Sequence, residues 1–158
     1  MSCIRVYVHA VWGVKYRDAL LTKDMYPSLV DTIHAQLVTR GHKPIVTNGV
    51  EDHIHSVFRF NCREDVGDTM KAIKGTSSLN LNAAFFAKEA PFRWQGGYGI
   101  FSVSKKLLDS AVGYVERQQA IHANRKQLSF VKEYEQLVVR ETWDEDETVP
   151  YMVDLVDR

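Results

Sequence analysis

Apolar and polar positions alternate through IRVYVHAVWGV (residues 4–14), a run rich in β-branched and aromatic side chains, and this pattern predicts a strand. The period becomes helical over 23–40. There Leu29, Val30, Ile33 and Leu37 share one face, Thr22 stands where a cap is needed, Pro27 falls near the first turn and Gly41 ends the run. Two strands, 43–50 and 53–60, flank a short turn at Glu51–Asp52, as in a hairpin. A second helix is predicted over 65–86 through Val66, Met70, Ile73 and Ser77, with Gly75 its weak point. WQGGYGIFSVS (94–104) reads as a loop feeding a strand, and 107–123 and 129–141 read as helices. The chain has no internal repeat or low-complexity linker.

Strands bunched in a hairpin between helices imply an α+β domain, an antiparallel sheet with helices packed on it, and the order fits a ferredoxin-like βαββαβ unit. A chain of 158 residues suits one such domain, placed over 1–140. Hydrophobic residues make up 45% and charged residues 25%, an ordinary globular composition. No apolar run approaches the roughly 20 residues that span a bilayer. The first residues lack the basic start, apolar centre and cleavage site of a signal peptide. Cys3 and Cys62 form no CxxC motif and read as reduced thiols, so a cytoplasmic location and no membrane partner are expected.

Charge changes the picture through its distribution. The formal net charge is zero, but residues 141–158 hold seven of the 20 acids and one of the 20 bases. Residues 1–140 therefore carry 19 bases against 13 acids, a net of +6, followed by an acidic tail. That body suits a polyanionic partner as well as it suits a neutral protein with a solvated tail.

The chemistry begins at EDHIHSVFRF (51–60). On a strand His53 and His55 point to one face and Ile54 to the other. They read either as a pair of metal ligands or as the polar side of an ordinary strand. On the helix at 107–123, Tyr114 and Gln118 are four apart and share a face, which sets a phenol beside an amide. Alone, this pair reads as surface decoration.

Together these stretches resemble the HUH superfamily of single-strand DNA nucleases, and more closely the single-tyrosine transposases of the insertion-sequence 200/605 type. The likeness runs through HAVWGVKYRDALLT (9–22), DHIHSVFRF (52–60), MKAIKGTSS (70–78), WQGGYGIFSVS (94–104), YVERQQAIH (114–122) and Phe130 with Glu133. In this order they are specific, although none decides alone. One departure is the Ile121–His122 pair, where many relatives have two histidines.

The resemblance implies a transposase that cleaves and rejoins single-stranded DNA at hairpin-bearing element ends. Tyr114 would be the nucleophile, forming a 5′-phosphotyrosine link. His53, His55 and Gln118 would hold Mg²⁺ or Mn²⁺, which offsets the weak nucleophilicity of a phenol with pKa near 10. Zinc would call for a further thiolate or carboxylate. A homodimer is implied, in which the tyrosine helix of one subunit completes the histidine site of the other. Lys71, Lys74, Lys105 and Arg117 are candidate DNA contacts, with Lys106, Arg125 and Lys126 behind them. Trp94 and Tyr98 are candidates for base stacking, although core packing or loop anchoring explains them better. His9, His34 and His42 read as structural or surface residues. The alternatives are a relaxase or rolling-circle nickase, a domesticated hairpin-binding protein that no longer cuts, and a metal-dependent hydrolase of small molecules.

Overall fold

The structure, a computed structural model, describes residues 1–124. The helix expected at 129–141, Arg125, Lys126 and the acidic tail lie outside the described residues. Four strands, β1 (Val6–Gly13), β2 (Lys43–Gly49), β3 (His53–Phe60) and β4 (Gly99–Val103), form one antiparallel sheet in the order β2-β3-β1-β4. Helices α1 (Tyr26–Thr39) and α2 (Val66–Phe85) fill the two crossovers, which gives the expected βαββαβ order. The sequence after β4 continues into α3 (Leu108–Glu116) and α4 (Gln118–Asn124).

Strand periodicity sorts the sheet into two faces. Val8, Ala10 and Trp12 of β1 and Ile54 and Phe58 of β3 form the main core with Leu29, Ile33 and Leu37 of α1 and Met70, Ile73 and Leu81 of α2. Each large side chain buried there contributes about 1.5–3 kcal/mol relative to exposure. The other parity carries His9, Val11, His53, His55 and Val57, all buried. Buried Val115 and Gln118 come from α3 and α4, and α3 packs against β2 and β3. The sheet thus divides an apolar core from a face rich in histidine.

The helix ends follow local chemistry. Asp65 caps α2 by accepting from Asp68 N at 3.0 Å. Gly41 stops α1 with φ at +77°, which lets its own N–H reach Val38 O and that of His42 reach Leu37 O, both at 2.9 Å. Thr22 does not cap α1. Met25 occupies that position with no side-chain cap, and Thr22 O instead accepts from Met25 N at 3.1 Å in the preceding turn.

The helix expected at 107–123 is interrupted at Arg117, whose φ and ψ are −95° and 13°. The cause lies on another element. Asn48 of β2 donates its amide to Val115 O at 3.0 Å and to Glu116 O at 3.3 Å. These carbonyls would otherwise accept from the next turn of a continuous helix. Gln119, at the start of α4, donates to Gly49 O at 3.0 Å, so both sides of the break are tied to the end of β2.

Candidate active site

His53 and His55 stand two apart on the central strand β3, 0% and 1% exposed, with ring centroids 5.0 Å apart. Each presents Nδ1 to a different outer partner. Asp52 Oδ1 accepts from His53 Nδ1 at 2.6 Å. A carboxylate can only accept, so Nδ1 carries the proton of this bond. Arg17 holds the other Asp52 oxygen through Nε at 3.1 Å and Nη2 at 2.9 Å. Burial pushes the Asp52 carboxyl up, but its hydrogen bond to His53 and the neighbouring charges of His53 and Arg17 outweigh this and hold it down at about 2.

Arg17 reaches Asp52 from an unusual backbone. Tyr16 and Arg17 have φ of 61° and 57°, the left-handed region that non-glycine residues rarely adopt. Such residues cost of order 1–3 kcal/mol each and persist where surrounding contacts hold them. Here the ion pair to Asp52 and the bond from Lys15 N to Arg93 O at 2.9 Å anchor the turn.

His55 Nδ1 lies 2.9 Å from His9 Nε2 across the β1–β3 pair, with His9 itself 4% exposed. Burial, followed by the neighbouring charges of His53, His9, His122 and Arg17, lowers the His55 pKa well below its ordinary value. The imidazole is therefore neutral, as a metal ligand must be.

Tyr114 on α3 completes the group. Its ring meets His55 at 5.6 Å and His9 at 6.3 Å, edge to face in both cases. Gln118 follows across the helix break, fully buried. Its Nε2 bonds Tyr114 O at 3.4 Å, while among the described residues its buried Oε1 accepts no hydrogen bond. His122 of α4 packs on His53 at 5.0 Å. Tyr114, His53 and His55 thus come together within a single chain, with Gln118 bonded to the Tyr114 carbonyl.

These residues fit a divalent cation of the oxygen- and imidazole-binding kind. Two buried imidazoles held through Nδ1 and one buried amide oxygen lacking a hydrogen bond form an incomplete donor set. Among the described residues no group of three His, Cys, Asp or Glu side chains is placed to hold a metal ion, so a closed structural zinc site is not formed there.

Lys71 on α2, Lys105 before α3 and Arg117 at the helix break are exposed. Lys74 is half-buried, and its ammonium donates to Gln95 O, Gly96 O and Gly97 O at 2.7, 3.3 and 3.0 Å. Burial lowers its pKa to about 8. Trp94 is a core residue, bonded to Ser77 Oγ at 2.9 Å and packed on Phe92 and Trp12. His42 is structural, accepting from Asn61 N at 2.9 Å and facing Thr69 Oγ1 at 3.0 Å. His34 lies 2.9 Å from Thr47 Oγ1.

The sequence marks His9 only as a structural or surface residue and Asp52 only as part of a turn; the structure places both beside the histidine pair. The βαββαβ order places β1 beside β3 and so brings His9 near the pair, but only the register, His9 opposite Val57 and Val11 opposite His55, puts its ring on the same face.

The family model described as Transposase IS200 like matches residues 2–118. This chain belongs to the IS200-like transposase family. It is 27% identical over 114 residues to the ISDra2 transposase TnpA of Deinococcus radiodurans, covering 70% of this chain and 81% of that protein. Its fold is similar to the crystal structure of a protein described as a transposase from Deinococcus radiodurans R1 (TM-score 0.61, 22% identity, 74% of this chain and 93% of that one). It is also similar to a REP-associated tyrosine transposase bound to a REP hairpin (TM-score 0.59, 17% identity, 80% and 74%). The IS200-like transposase described here thus has a fold similar to both structures. Among its described residues no helix is long and apolar enough to cross a membrane.

Proposed function

We propose that this transposase cleaves and rejoins single-stranded DNA at hairpin-bearing ends through a 5′-phosphotyrosine on Tyr114. The observation that carries the reading is the approach of the Tyr114 ring to His55 at 5.6 Å, beside a buried Gln118 Oε1 that accepts no hydrogen bond. His53, His55 and Gln118 would hold Mg²⁺ or Mn²⁺, which when bound polarises the scissile phosphate and stabilises its developing charge. Asp52 fixes the His53 tautomer. His9 does the same for His55 by accepting from its Nδ1–H, which leaves the Nε2 lone pair for the cation.

Tyr114 Oη attacks phosphorus, the bond to the 3′ oxygen breaks, and that oxygen takes up a proton as the phenol gives one up. A free 3′-hydroxyl then attacks the phosphotyrosine, and the strand is rejoined with the phosphoester conserved. A hairpin partner is supported by the net +6 body of the chain and by the hairpin bound to the REP-associated relative.

Tyr114→Phe removes one hydroxyl and keeps the ring. Incubated with a labelled hairpin-bearing strand and Mg²⁺, the wild type is expected to give a covalent adduct and the variant none, with hairpin binding unchanged. The phosphate should map to the peptide containing GYVERQ. An adduct on another tyrosine or on a serine overturns the mechanism. Retarded DNA without any adduct from the wild type favours the non-cleaving hairpin binder.

A further inference from the structure

A second feature lies along α2. The N-terminal half of α2 and the segment 93–98 enclose a groove of about 480 Å³, within the range of small-ligand clefts, about 300–1,000 Å³. Lys71, Lys74 and Arg93 line it, and among its described lining residues there is no carboxylate. Tyr98, partly buried against the core, forms part of the wall, with Lys74 Nζ 5.9 Å from its ring centroid. Lys74 also ties down the loop by donating to the carbonyls of residues 95–97.

Gly75 also lines the groove and is the most informative of these residues. It sits in the interior of a 20-residue helix, is exposed, and has nothing within 4 Å of where a Cβ would stand. Neither a turn nor a packed neighbour requires glycine there, and alanine would make a more stable helix. The missing side chain makes room for something outside the folded chain.

We propose that this groove receives one unpaired nucleotide of the DNA strand that the transposase cuts, with its phosphate toward Lys71 and Arg93 and its base against Tyr98. The inference rests on the single-strand DNA reading above and adds a binding site to it. Lys71 and Arg93, with no carboxylate among the described lining residues, complement a phosphate, and the part of the Tyr98 ring that lines the groove can stack on a base. The groove is also joined to the catalytic end of the sheet. Lys15 N donates to Arg93 O and Gln95 N to Gly13 O, both at 2.9 Å, and Gly13 pairs with His53 in the β1–β3 ladder. A strand anchored in the groove therefore starts beside the end of β1 that supports the histidine site.

The test uses the full chain and a fluorescein-labelled oligothymidylate of about a dozen nucleotides, read by anisotropy, with thermal melts alongside. Gly75→Ala is expected to raise Tm by about 2–4 °C, because the helix gains propensity. Gly75→Leu fills the groove and should weaken binding about tenfold or more without lowering Tm. Lys71→Ala and Arg93→Ala should each weaken binding and reduce the salt slope by about 1. Should Gly75→Leu fail to fold, the Lys71→Ala/Arg93→Ala double variant decides. Oligothymidylate binding by these folded variants equal to the wild type overturns the proposal. Normal Tyr114 adducts from the wild type with unaffected groove variants refute the groove alone. Weakened binding in the groove variants with no adduct from the wild type supports the groove and refutes the catalytic reading.

Discussion

Replacing Asp52 by asparagine separates a positioning role from a structural one. The carboxylate accepts from His53 Nδ1 at 2.6 Å and from two Arg17 nitrogens at 2.9 and 3.1 Å. Asparagine has the same shape but only one accepting oxygen. With that oxygen toward His53, the amide N–H groups meet the Arg17 guanidinium, donor against donor. With the amide reversed, N–H faces His53 Nδ1, favours the proton on Nε2 and removes the lone pair that a cation needs. Loss of such an outer partner typically costs 10–100-fold in metal affinity, or about 1.4–2.8 kcal/mol. A charge-assisted bond contributes about 1.5–3 kcal/mol to stability when buried. The Arg17 and Asp52 side chains are 32% and 27% exposed, so solvent screening brings that nearer to about 1 kcal/mol. The variant is therefore expected to stay folded and to bind Mn²⁺ 10–100-fold more weakly. Calorimetric titration of the metal, with a thermal melt in chelator as the control for folding, measures both. Unchanged Mn²⁺ affinity together with a lowered Tm would show Asp52 to be a clamp for the 14–17 turn and nothing more.

Other outcomes follow from the same contacts. Lys74 has a pKa of about 8 in the fold, below its usual 10.5, so between these values the unfolded chain holds a proton that the folded one has released, and stability rises with pH across that window. The gain is about 1–2 kcal/mol after allowance for its partial exposure, and it should vanish from melts of Lys74→Met; an identical pH profile for the two proteins would refute it. Asn48→Leu frees the carbonyls of Val115 and Glu116 and is expected to cost about 1–3 kcal/mol and to reduce cleavage more than hairpin binding; equal cleavage would mean that the break at Arg117 does not place Tyr114 and Gln118. Because Tyr114 meets the histidine pair within one chain, mixing His53→Ala with Tyr114→Phe subunits is expected to leave DNA uncut, and recovered cleavage would mean that α3 is exchanged between subunits.

How far the sequence could be read depended on the range of the forces involved. The order of strands and helices was legible because burial imposes a period on each segment, and Gly41 announced the end of α1 because its left-handed conformation is a local property. The histidine pair was legible as a pair because a strand fixes the relation of i to i+2. The break between α3 and α4 was not legible. The segment 107–123 has the period of one helix, and what divides it is the amide of Asn48, roughly seventy positions earlier. His9 was hidden for a related reason: a lone histidine in an apolar strand is most simply a core residue, and only pairing with β3 gives its ring a neighbour.

This difference in range bears on how the site is built. On the proposed reading, two imidazoles and an amide oxygen would be weak ligands for a hard cation, so the arrangement would depend on their being held in one orientation and one tautomer before cation and DNA arrive. EDHIHSVFRF and YVERQ do not meet these conditions alone, although Asp52 lies within the first. Asp52 needs Arg17, which needs the left-handed turn after β1. His55 needs His9, from the middle of β1. Gln118 needs Asn48 to end α3 where it does. Strand β1 and the ends of the β2–β3 hairpin thus supply almost all the second layer of contacts, while β3, α3 and α4 supply the groups that would touch metal and phosphate. Substitutions in that second layer should lower catalysis through orientation while leaving every catalytic side chain in place, and for this reason His9 and Asp52 belong to the site as firmly as the residues they hold.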